Sequence, residues 1–396
     1  NLVNQDPDFQ AFADWIELHN GSNNTVDLSN WWLSDDADVL DKWTFPAGVS
    51  IPANGFLLVW ADGENTGLHT NFKLSADGEK LILSNPLGVE ADKISFGLQL
   101  TDISQGRSLD GTGGWGFYIK PTPGASNTTS AFFEDYTKPV PYFSVAGGFL
   151  PNPVTVNIQN LSSIGAVHYT TDGSAPTDTS PVFVQPQEFS TNTVVKARII
   201  APNRIPGPVV VNTYFIGEDF QQRGLGVLSL SGNPADFFGL DSGILVQNYK
   251  PDWEIPIHLE FYENDGILGF HHDAGASVGG ENSWILPQKL LNISSRKQYG
   301  GGHIEYQIFP DNSRTSFEDL ILRTSGNDWS NTFFRDGLIQ NTANSTADLD
   351  VQAFRPVATF INGVYYGIYN LREKQDKEYA EIHDGITADS LDYIEN

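Results

Sequence analysis

The chain has 396 residues, too long for one ordinary core, and its length points to two to four domains of roughly 100 to 200 residues each. Lys plus Arg number 22 against 49 Asp plus Glu, a formal net charge of −27. That field repels nucleic acid and anionic membranes, which argues against nucleic-acid binding. Cysteine is absent, which removes disulfides, thiolate zinc sites and Cys nucleophiles together.

No run of about 18 apolar residues occurs and no charged-then-apolar segment opens the chain, so no membrane span and a soluble, mature chain are expected. With 38 Gly, 22 Pro and only 18% charged residues, the composition is that of short strands joined by turns. Such acidic, turn-rich β-modules suit a secreted protein.

From Asp14 to about Asn127, short apolar runs alternate with turn signals: Trp15-Ile16-Glu17-Leu18, Trp31-Trp32-Leu33, Phe56 to Trp60 and Lys80 to Leu83. Runs of this length between Asn-Gly, Asp-Gly and Pro read as a β-sandwich. The ordered motifs Asp14-Trp15-Ile16-Glu17-Leu18-His19-Asn20, Ile51-Pro52-Ala53-Asn54-Gly55, Phe72-Lys73-Leu74-Ser75, Gly78-Glu79 and Pro121 to Asn127 resemble a bacterial lamin-tail domain over residues 1–127. That resemblance implies an immunoglobulin-like sandwich without a catalytic site of its own. Asp35-Asp36-Ala37-Asp38 lacks the glycine and bidentate acid of a calcium loop and reads as a solvated acidic turn.

Residues 128–140 are polar and read as a linker. A second β-module is expected over 141–217, with an alternating strand before the Asp172-Gly173 turn and another from Thr193 to Ile200. The stretch Val167 to Thr177 resembles the chitobiase C-terminal type of β-sandwich found in secreted carbohydrate-active proteins.

From about Gly226 the apolar runs lengthen. Leu286-Pro287-Gln288-Lys289-Leu290, Leu322-Arg323-Thr324-Ser325-Gly326-Asn327-Asp328-Trp329, Arg335-Asp336 and Phe360 to Lys374 together resemble a CotH-like (spore-coat) protein kinase domain over 226–396. The fold class expected is therefore multidomain and mainly β, with two immunoglobulin-like sandwiches followed by an α+β kinase-like front lobe over 226–373. The resemblance implies ATP with Mg²⁺ or Mn²⁺, and phosphate transfer to a protein substrate. The competing reading is a cell-surface protein whose β-modules bind a surface glycan or matrix.

Phosphoryl transfer needs cations on the phosphates and metal held by carboxylates. Lys289 follows Gly275, Gly279 and Gly280 and either projects toward a nucleotide or lies on an edge strand at the surface. Residues 330–340 read as a helix with Ser330 as its N-cap, and Asp336 on it is the candidate partner of Lys289. Arg323 and Arg335 are either phosphate contacts or structural forks, with the structural role favoured for Arg335. Glu373 either faces nucleotide and metal or pairs locally with Arg372 or Lys374. His271-His272-Asp273 is read as a loop pair and not a metal site, because adjacent histidines on a strand would point to opposite faces and not share one ion. Asn362-Gly363 signals a hairpin, and a short polar helix is expected around Asp376 to His383. Catalytic residues are expected beyond Asn396, so residues 1–396 are expected to transfer no phosphate.

Overall fold

The computed structural model describes residues 6–9, 12–246, 253–280, 283–346, 351–387 and 390–391. It is mainly β, and divides into one unit of residues 1–137 with 201–206 and another of 138–200 with 207–396.

In the first unit, Asp14–His19 pairs antiparallel with Phe56–Ala61, register running from Asp14↔Ala61 to His19↔Phe56. A four-stranded sheet places Trp43–Thr44, Trp32–Ser34, Glu79–Ser84 and Glu90–Phe96 side by side. Alternation along these strands buries Ile16, Trp43 and Ile82 while their neighbours stay partly exposed, and Leu33 and Val59 lie in runs buried on both faces. The expected strands around 15–18, 31–33, 56–60 and 80–83 are all present. The acidic turn at 35–38 is closed by Asp36 accepting the Asp38 N–H, with Lys42 on Asp35 at 2.6 Å.

Residues 128–140, expected as a linker, carry structure. Phe132–Phe133 extends the sheet of Ser104–Arg107 and Trp115–Tyr118, and Asp135–Tyr136 pairs in parallel with Arg204–Ile205. The apolar pair Phe132-Phe133 supplies the packing surface a free linker lacks.

A cavity of about 900 Å³ opens in this unit, lined by apolar residues that include Trp31, Leu81 and Phe96 and by polar ones that include Glu17, His19 and Asp110. Glu17 accepts the Gly124 N–H. Burial, reinforced by Asp110, pushes the Glu17 carboxyl up from 4.5 to about 7 against that hydrogen bond. A carboxyl raised on folding keeps its proton in the native state while the unfolded chain has lost it, so this group costs stability as pH rises from 4.5 to about 7. The Glu17→Gln variant is therefore expected to gain thermal stability on the parent across that window and to match it below pH 4.5, read from paired melting curves.

In the second unit, Gly148–Leu150, Val210–Ile216, Thr193–Ile200 and Ala166–Thr170 form a four-stranded sheet in that order over a core of Val156, Val167, Val195, Ala197 and Tyr214. The turn after Ala166–Thr170 closes on Asp172, whose carboxylate accepts the Ser174 N–H at 2.9 Å.

Beyond it lies a closed barrel of seven strands: β1 Gly226–Ser231, β2 Ile255–Tyr262, β3 Leu268–Val278, β4 Leu291–Ser294, β5 Asp319–Arg323, β6 Phe354–Ile361 and β7 Val364–Glu373. The order around it is β1-β2-β3-β4-β5-β7-β6, closed by the parallel pair β1 and β6. Leu230, Ile257, Ala276, Leu291, Leu322, Val357 and Leu371 fill its interior. Among the described residues, three α-helices attend it: α1 Pro234–Phe238, α2 Arg335–Thr346 and α3 Lys377–Asp384. The β6–β7 hairpin turns at Asn362 and Gly363, φ 49° and 81°, as the Asn-Gly signal predicts.

The module and the barrel share a core. Phe215 is fully buried, stacks on Phe149, and meets Tyr262 and Phe360 of the barrel edge-on at 5.6 and 4.8 Å. Beside it the buried Glu260 accepts hydrogen bonds from the Thr213 N–H and hydroxyl and from Tyr262. Truncating a fully buried ring costs about 3–5 kcal/mol. Phe215→Ala is thus expected to destabilise module and barrel in one transition, by about that amount in denaturant titration; loss confined to the module would contradict a shared core.

Candidate functional site

Strand β7 organises the polar chemistry of the barrel. Its alternation sends Tyr369, Leu371 and Glu373 toward the interior, all essentially unexposed, and Asn370 and Arg372 outward. Arg323 of β5, register partner of Asn370, lies on the same outer face.

Helix α2 covers that face. Asp336 in its first turn meets Arg372 Nη2 at 2.8 Å and Arg323 Nε at 3.1 Å through one carboxylate oxygen. The Arg372 side chain is 1% exposed, and burial lowers its pKa while Asp336 opposes the shift. Gly337 allows the approach, since a Cβ there would meet the Phe354 ring at 2.9 Å.

The helix starts at Arg335, five residues after the expected N-cap Ser330. Phe333 has φ 71°, which stops a helix, and Asp328 takes over the turn by accepting the N–H groups of Thr332 and Arg335. The Thr332 hydroxyl on Asp328 holds its carboxyl below the usual range. Arg335 Nη2 pairs with Asp328 Oδ1 at 3.2 Å. Asn370 binds the Ser325 hydroxyl and the Phe333 carbonyl, fixing this loop to β7.

Lys289 lies elsewhere. It is 4% exposed, not a surface lysine, and its ammonium donates to the Trp284 carbonyl. Gln288 donates to Ile368 O and Tyr369 to Lys289 O, so the segment is bound to β7 from both sides. Burial lowers the Lys289 pKa. The Gly-rich approach is packed: a Cβ at Gly275 would meet Glu254, and one at Gly279 would meet Leu290 and Asn292.

The expected Lys289–Asp336 pair is therefore replaced by Arg372 and Arg323 on Asp336. The reason is geometric: α2 lies on the outer face of β5 and β7, whereas the Lys289 segment is tied to Ile368 and Tyr369.

Glu373 lies four residues past Tyr369, roughly 13 Å along a strand. Fully buried, it takes Arg314 Nη1 at 2.8 Å, His383 Nε2 at 3.0 Å and Asn312 Nδ2 at 3.4 Å, not its neighbours Arg372 or Lys374. Arg314 also binds Glu378 of α3 at 2.6 Å, and Asp376 caps that helix through the Tyr379 N–H. Sequence reasoning missed Arg314, whose polar surroundings give no sign of burial. His303, Glu318 and Glu378 converge closely enough to share an ion, but Arg314 already occupies Glu378. His271, His272 and Asp273 lie on β3 and not in the expected loop; His272 turns to Ser295, while His271 and Asp273 both lie against His258 on the other face.

Residues 276–394, which enclose Lys289, Arg323, Asp336 and Glu373, match the model of the CotH kinase protein family. This stretch is CotH-like. Residues 1–97 match the lamin tail domain and residues 145–211 the chitobiase/beta-hexosaminidase C-terminal domain. An endoglucanase of Clostridium saccharobutylicum is 37% identical over 77 residues, 17% of this chain and 16% of the relative, so the chain spans far less than two thirds of it. No described helix is long and apolar enough to cross a membrane.

The CotH-like stretch thus joins two guanidinium groups to one carboxylate on a barrel wall. Removing the partner of a buried charge costs about 3–5 kcal/mol, whereas an exposed ion pair is worth about 1 kcal/mol or less. Asp336→Ala is expected to lower the unfolding free energy by several-fold more than Arg323→Gln, measured by denaturant midpoints, because only the former strands Arg372.

Proposed function

We propose that residues 226–396 are the front part of an ATP-dependent, CotH-like protein phosphotransferase in a secreted or cell-surface bacterial protein, carried behind two immunoglobulin-like β-modules. The observation that carries this reading is the CotH kinase match over 276–394. ATP with Mg²⁺ or Mn²⁺ would supply the transferable phosphate and the metal that neutralises it.

Arg323 is the best placed of the four expected residues to meet a phosphate. Its side chain is 40% exposed, and with Arg372 it leaves one net positive charge around Asp336. Asp336 positions both guanidinium groups. Lys289 would serve by turning its ammonium from the Trp284 carbonyl toward a phosphate. Glu373 is least suited to a ligand, because its oxygens are taken by Arg314, His383 and Asn312.

Calorimetric titration of the chain with ATP and Mg²⁺ tests this reading. Weak saturable binding is expected, at about 1 mM or above, weakened further in Arg323→Gln and in Lys289→Ala, each titrated at a temperature below its own melting transition. No uptake, or uptake indifferent to both substitutions, sinks it. Micromolar binding or autophosphorylation would place catalytic residues within the barrel itself.

A second reading is favoured by the cavity of the first unit: Trp31 and Trp115 line it beside Glu17 and Arg107, a combination of aromatic faces and hydrogen-bonding groups that suits a sugar. The chitobiase-type match and the endoglucanase relative point the same way. Titration with cello-oligosaccharides, with Trp115→Ala as the control, separates it from the phosphotransferase reading.

A further inference from the structure

The first unit holds a second polar cluster, away from the cavity and unconnected with phosphate chemistry. His69 is 2% exposed, held by its N–H on Thr66 O and by Thr70 N on Trp60 O. Asp62, just after strand Phe56–Ala61, uses Oδ1 to accept the Glu64 N–H and places Oδ2 2.6 Å from His69 Nδ1. Asp6, fully buried, uses Oδ1 to accept the Asp8 N–H. Its other oxygen accepts no hydrogen bond among the described residues and lies 3.8 Å from the same Nδ1. On the far side of the ring, Asp8 Oδ2 is 3.3 Å from Nε2.

One imidazole nitrogen is thus faced by two carboxylate oxygens, and a single proton on it can satisfy only Asp62. Asp6 Oδ2 stays buried without a hydrogen bond among the described residues, a costly arrangement in protein alone. An imidazolium would balance one of three carboxylates. A divalent cation would take Asp6 Oδ2, Asp62 Oδ2 and His69 Nδ1 together, since these donor atoms lie within 4.8 Å of one another. Asp8 on Nε2 is the carboxylate that metal-bound imidazoles regularly carry on their other nitrogen, fixing Nδ1 as the ligand.

We propose that Asp6, Asp62 and His69 form a binding site for a divalent transition-metal ion of the zinc class, oriented by Asp8, which pins residues 6–8 to the 62–70 loop. Mixed nitrogen and carboxylate donors select Zn²⁺, whereas Ca²⁺ and Mg²⁺ prefer oxygen alone.

The test uses the whole chain after chelator treatment, titrated calorimetrically with Zn²⁺ and in parallel arms with Mn²⁺ and Ca²⁺. One saturable Zn²⁺ equivalent is expected, with a higher melting temperature, and with binding weakened about tenfold or more in Asp6→Asn and Asp62→Asn. Asp8→Asn, at an exposed residue that leaves folding intact, is expected to weaken it by a smaller factor. His303→Asn should leave it unchanged, which separates this cluster from the one near α3. Absence of saturable Zn²⁺ uptake, preference for Ca²⁺, or uptake that survives both Asp6→Asn and Asp62→Asn would overturn the proposal.

Discussion

The buried guanidinium of Arg372 is the constraint around which the CotH-like stretch is arranged. Strand alternation forces it outward from β7, and a charge with 1% exposure needs a carboxylate, so α2 must dock where Asp336 can reach it. Docking at that distance requires Gly337 against Phe354. The loop before α2 must then double back, which Phe333 does with its positive φ and Asp328 does with its carboxylate. One charge thereby sets the position of a helix, a loop and the outer face of two strands.

The other polar residues of the barrel answer different demands. Glu373 and Arg314 form a buried pair that anchors α3, while Lys289 is drawn out of water onto a backbone carbonyl. These are three separate neighbourhoods, although all of them fall inside the residues that match the CotH kinase family. A kinase-like sequence pattern therefore coexists here with a closed barrel, and fold and chemistry are distinct questions in this chain.

Local signals were legible in the sequence where a short stretch decides the outcome. The Asn362-Gly363 turn, the Asp172-Gly173 turn, the helix after Asp376 and the strands of the first unit all follow from residues within a few positions of one another. What stayed hidden depends on partners far apart in the chain. Arg314 meets Glu373 across 59 residues. The partner of Asp336 depends on strand parity along β7, which sends Arg372 toward the covering helix while Leu371 points inward. The start of α2 was misplaced because the side chain of Asp328 outcompetes Ser330 for the turn. The linker reading of 128–140 weighed its polar residues over Phe132 and Phe133.

The tip of the β6–β7 hairpin does more than reverse the chain. Asn362 bonds both backbone groups of Gly232, and its side chain packs so closely on Gly173 of the preceding module that a Cβ there would overlap it at 2.1 Å. The chitobiase-type module and the barrel are thereby joined by a docked turn as well as by the core around Phe215. A recombination joint near residue 217 would sever a packed core and a docked turn, and one near residues 137–138 would break the pairing of Asp135–Tyr136 with Arg204–Ile205.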